Sequence, residues 1–93
     1  MTKYIIKVTT VGTHPNFAGE VAINYYGRND ESLGCEGSHY EKHPFSRMHI
    51  GLDHDLVREY GYSRRELATR NWSFNNPNEK YWKGSAEIIE VEV

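Results

Sequence analysis

The stretch from Leu56 to Asn71, LVREYGYSRRELATRN, constrains this chain more than any other. Leu56, Val57 and Tyr60 share one face of a first helix at their spacing. Gly61 sits where a left-handed turn ends a helix. Ser63 and Glu66 form an S-x-x-E capping box, so a second helix starts there and runs from Arg64 to about Arg70. Asp53 is placed to cap the first helix, and Asp55 complements its N-terminal dipole.

The rest of the chain supplies strands for this helix pair to pack on. Lys3–Val11 alternates, with Tyr4, Ile6 and Val8 on one side and Lys7 and Thr9 on the other. Gly12–Gly19 holds turn residues. Glu20–Tyr26 alternates again, with Val21, Ile23 and Tyr25 on one face, so the two strands form a hairpin with a long tip. Gly27–Arg47 has a single aliphatic residue, Leu33, and reads as an extended loop; loops of that length in small domains are usually functional or mobile. Met48, Ile50 and Leu52 fit a short strand. Asn71–Asn78 is a loop, and Lys80–Val93 closes the chain as a strand with Ile89, Val91 and Val93 inward and Glu90 and Glu92 outward. The expected fold is α+β: a three- to four-stranded, mostly antiparallel sheet with a short helical hairpin packed on one face.

Ninety-three residues make one domain, residues 1–93, with a thin core. Seven Tyr, three Phe and two Trp help fill that core and stock a binding surface. A net charge of -2 argues against a surface that tracks a nucleic acid backbone everywhere, and against a strongly acidic DNA mimic. The single cysteine and the absence of a leader pattern predict a cytoplasmic chain. No apolar run is long enough to span a membrane.

Three constellations carry chemistry. The first is the helix pair as a helix-turn-helix, with Arg64, Arg65, Thr69 and Arg70 outward toward phosphates or base edges. Val57 and Arg70 depart from that pattern: the first stands where a small residue belongs, the second where an apolar anchor belongs. The alternative is a plain helical hairpin covering a sheet. The second constellation is Cys35, His39, His43, His49 and His54, with Asp53 and Asp55. Its spacing, C-x3-H-x3-H-x5-H-x4-H, matches no common structural zinc site, so no metal and no other cofactor is expected. Cys35 lies between Gly34 and Glu36, a neighbour that opposes a thiolate nucleophile, so no catalytic residue is assigned. The third constellation is adhesive. Arg28, Asn29, Asp30, Glu31, Tyr40 and Arg47 bracket the long loop, and Tyr81 and Trp82 follow the second one. Residues of these types in loops build protein-recognition surfaces. Trp72, Phe74, Tyr81 and Trp82 are equally suited to the core, and at least two of the four are expected there.

Short fragments then add a resemblance. Thr9-Thr10, Pro15-Asn16-Phe17-Ala18-Gly19, Tyr25, Glu59-Tyr60-Gly61 and Trp82-Lys83-Gly84 leading into EIIEVEV resemble small phage-encoded anti-CRISPR proteins, particularly inhibitors of type I-F complexes. The resemblance implies a non-enzymatic protein that binds a CRISPR surveillance complex and blocks DNA recruitment. It transfers no functional residue. Taken with the residues themselves, the expectation is an inhibitor or regulator that docks on a larger protein or ribonucleoprotein machine through Arg28, Asn29, Asp30, Glu31, Tyr40 and Arg47. Arg64, Arg65 and Arg70 are candidates for nucleic-acid contact. The alternatives are a small helix-turn-helix-like DNA-binding regulator and, more remotely, a metal-dependent nuclease.

Overall fold

A computed structural model describes residues 1–43, 50–69 and 78–93. Five strands form one antiparallel sheet: β1 (Thr2–Gly12), β2 (Val21–Tyr26), β3 (Ser32–Glu36), β4 (Gly51–Leu52) and β5 (Trp82–Glu92), in the order β4-β3-β2-β1-β5. Among the described residues three short α-helices accompany it: α1 (Ser38–Lys42), α2 (His54–Tyr60) and α3 (Arg64–Thr69). The fold is α+β, as the alternation and capping signals indicate, with more strands than expected.

The expected hairpin of β1 and β2 is present, in register from Val11↔Val21 to Ile6↔Tyr26. β5 pairs with β1 along its whole length, from Thr2↔Glu92 to Gly12↔Trp82. That register brings the chain ends together, and the Met1 ammonium donates to the Val93 carbonyl (2.6 Å) and to Glu92 (2.8 Å).

Successive residues of a strand point to opposite faces, so β1 builds two cores. Ile5 joins Tyr25, Leu33 and Val57 on one face, with Leu56, Tyr60 and Ile89 packed against them. Tyr4 and Ile6 join Tyr62 on the other, with Val8, Leu67 and Ala86. The helices therefore do not lie on one face. α2 delivers Val57 to one side of the sheet and α3 delivers Leu67 to the other. Their linker explains why. Gly61 has φ -65° and ψ 153°, extended rather than the expected left-handed turn. Tyr62 then exchanges two backbone hydrogen bonds with Tyr4, each 2.8 Å. The linker thus pairs with β1 just past the last β1–β2 pair, and the helices leave that edge on opposite sides. The expected caps are both present. Asp53 accepts from the N–H groups of Asp55 and Leu56. Ser63 and Glu66 exchange the two bonds of the capping box at 3.0 and 3.1 Å.

The larger correction concerns residues 27–43. This stretch is not an extended loop: it holds β3 and α1. Arg28–Asp30 is a single 3-10 turn with Asn29 at φ 59° and Asp30 at φ 56°, left-handed values that these two residue types tolerate. It reverses the chain into β3, whose Leu33, Gly34 and Cys35 are buried. Arg47, Met48, Arg70, Asn71, Trp72 and Phe74 lie outside the described residues. Of the four rings offered to the core, Tyr81 is exposed and Trp82 half-buried, while Trp72 and Phe74 lie outside the described residues.

Candidate functional site

The start of β2 and the helix α1 meet at one buried carboxylate. Glu20, the residue before β2, is the buried charged side chain among the described residues, at 5% exposure. Its Oε1 lies 2.8 Å from His39 Nδ1 and 3.1 Å from His43 Nε2. His39 and His43 are four residues apart, so α1 sets both rings on one side. The placement of α1 is fixed locally. Ser38 Oγ accepts the Val21 N–H at 2.9 Å, which ties the first turn of α1 to the residue after Glu20. Gly37 precedes the helix at φ +110°, and a Cβ there would stand 2.4 Å from the Val21 carbonyl oxygen. Only glycine allows that approach.

Glu20 is held below its ordinary carboxylate range, first by the hydrogen bond from His39, against the opposing effect of its burial. It is therefore ionised at neutral pH. An ionised carboxylate only accepts, so His39 carries its proton on Nδ1 and His43 on Nε2 when both bond to it.

Aromatic rings surround this group. Phe17, from the hairpin tip, stacks on Trp82 at 5.9 Å and meets the rings of His39 and His43 at 6.0 and 6.1 Å. Trp82 stands edge-on to His39 at 5.0 Å, and His14 stands edge-on to Tyr81 at 4.5 Å. The hairpin tip, α1 and the start of β5 thus form one wall. Beside it opens a cleft of about 270 Å3 lined by Thr10, Ala22, Asn24, His39, Tyr40, Glu79 and Trp82. The Tyr40 hydroxyl donates to Asn24 Oδ1 at 3.1 Å, which holds that ring in the lining.

The residues expected from sequence fall in separate places. Tyr40 is in the cleft. Arg28 donates to the Glu59 carbonyl and pairs with Glu66 at 3.5 Å, bracing the β2–β3 turn against α2 and α3. Asn29, Asp30 and Glu31 are exposed on that turn. Arg64 is exposed but donates from Nε and Nη2 to the Tyr4 hydroxyl at 3.2 and 3.1 Å. Arg65 is exposed on the same helix. Arg47 and Arg70 lie outside the described residues, as does His49.

Of the histidine and acid constellation, the structure unites His39 and His43 and separates them from Asp53, which caps α2. The third member is Glu20, which the sequence reading missed. The His-x3-His spacing was visible, but the carboxylate lies nineteen positions before His39 and is brought in by the β2–β3 pairing, which sets Ile23 opposite Glu36 just before α1. Comparison with protein-family models, with curated proteins and with solved structures found no match to this chain. None of the described helices is long and apolar enough to cross a membrane.

Proposed function

We propose that this protein acts without catalysis, by docking on a larger protein or ribonucleoprotein machine, with the cleft between Tyr40 and Trp82 as its anchor. The observation that carries this reading is the size and lining of the cleft. About 270 Å3 lies below the roughly 300–1,000 Å3 of small-molecule pockets. Such a hollow suits one large side chain of a partner better than a whole metabolite. Tyr and Trp are the residue types that dominate interface energies, because they offer area at low entropic cost. Thr10, Asn24 and Glu79 add polar groups that would fix the partner's orientation. In this reading the exposed turn residues Asn29, Asp30 and Glu31 are secondary contacts. The narrower form of the proposal rests on the sequence resemblance: a phage or mobile-element inhibitor, working in a host cytoplasm, that blocks DNA recruitment by a CRISPR surveillance complex.

The test is affinity capture from a bacterial lysate, with the bound protein and nucleic acid identified by mass spectrometry and sequencing. Wild type is expected to retain one protein or ribonucleoprotein assembly in fixed ratio. The folded Trp82→Ala variant is expected to lose it. Retention of bare duplex DNA alone would replace this reading with that of a DNA-binding regulator.

A further inference from the structure

We infer that Glu20, His39 and His43 form a binding site for one divalent transition-metal ion of the zinc class. This goes beyond the docking proposal and does not depend on it. Among the described residues, these three place one ligand atom each within 4.8 Å of one another. Two imidazole nitrogens and a carboxylate oxygen are a ligand set that zinc accepts, leaving a fourth position for water or a partner's side chain. Two ligand atoms on a tetrahedral zinc, each about 2.0–2.1 Å from the ion, stand roughly 3.3 Å apart. The oxygen-to-nitrogen separations here, 2.8 and 3.1 Å, are already close to that spacing.

Charge supports the assignment. Glu20 is a buried anion whose two hydrogen-bond partners are histidines rather than a permanently charged cation. The basic side chain that acts on it, Lys42, is exposed and makes only a long-range contribution. A buried carboxylate normally gains a full ionic partner or a metal. The rings of Phe17 and Trp82 stand edge-on to the histidines, so apolar surface flanks the group, as the hydrophobic shell of a metal site does.

The geometry also supplies a distinctive readout. Without metal, the hydrogen bonds to Glu20 require the proton on His39 Nδ1 and on His43 Nε2. Ligation through those same nitrogens moves the proton to the opposite nitrogen of each ring. Both tautomers must therefore invert when the ion binds. Zinc chloride titrated into the 15N-labelled wild-type chain, followed by long-range 1H–15N NMR of the imidazoles, tests this. One zinc per chain is expected, with inversion at His39 and His43 and none at His54, the exposed first residue of α2. In parallel, Glu20→Gln is expected to weaken zinc binding by roughly tenfold or more, while His54→Ala leaves it unchanged. Should Glu20→Gln fail to fold, the wild-type titration decides alone. Unchanged tautomers at His39 and His43 in excess zinc would overturn the assignment. So would zinc shifts that map to other histidines.

Discussion

At the scale of single residues, side chains far apart in sequence do most of the fixing, and their titration exposes them. Tyr25 is buried beneath α2 and donates to Glu36; burial first, then that hydrogen bond, push its phenol up to about 12. Above pH 10 the unfolded chain loses this proton before the folded one does. Stability present below pH 10 is thus lost as pH rises toward 12, by at most about 2–3 kcal/mol. Chemical denaturation across that range should show the loss, and Tyr25→Phe should flatten it. Glu20 works in the opposite direction. Its folded value lies below the ordinary 4.5, so its contribution is present above pH 4.5 and disappears as pH falls through the folded value. Wild type should lose stability relative to Glu20→Gln under acid. Ser63 is a simpler case. Its hydroxyl accepts the Glu66 N–H, and Ser63→Ala should cost about 1 kcal/mol in denaturant unfolding, the usual loss for an N-cap; no change would mean that the box is ornamental.

At the scale of elements, the decisive piece is the β3–α1 segment, which joins the sheet to the candidate site. Leu33 has no exposed surface, and Leu33→Ala should cost about 2–5 kcal/mol. A chain of this length has a total of roughly 5–14 kcal/mol to lose. Amide exchange should find the β3 backbone protected; exchange as fast as an open loop would contradict its pairing with β2. Gly37→Ala should loosen α1 and separate both histidines from Glu20, visible as loss of their fixed tautomers. Much else was legible without coordinates. β1, β2 and β5 carry their own alternation, and Asp53, Ser63 and Glu66 carry their own caps, so local chemistry declares them. β3 does not. SLGCE has one aliphatic residue, and its stability comes from strands on both sides and from the close approach of Gly34 to the Gly51 carbonyl. Gly61 misled for a related reason. A glycine after a helix signals a left-handed turn, but here the backbone pairing of Tyr62 with Tyr4 holds the linker extended. The Glu20 cluster was half legible: the helix spacing of its histidines is in the sequence, whereas its carboxylate depends on a tertiary join.

At the scale of the whole molecule, the choice lies between a surface that reads DNA and a surface that docks on a machine. The net charge of -2 gives little long-range attraction for a polyanion. The guanidinium of Arg64 is engaged with Tyr4, and the helix pair straddles the sheet edge instead of packing as a self-contained hairpin. Binding to free duplex DNA should therefore be weak at physiological salt, without the steep salt dependence that several phosphate contacts produce. The most direct test of the docking proposal is the dissociation constant for the captured partner. It should be measured for wild type, for Trp82→Ala and for the Arg64→Ala/Arg65→Ala double variant, with the circular dichroism of each confirming its fold. A hot spot at Trp82 predicts a loss of about 2 kcal/mol, roughly a thirtyfold weaker complex, for Trp82→Ala and little change for the double variant. Undiminished binding by Trp82→Ala, with binding abolished in the arginine variant, would contradict the proposal and move the functional surface to α3.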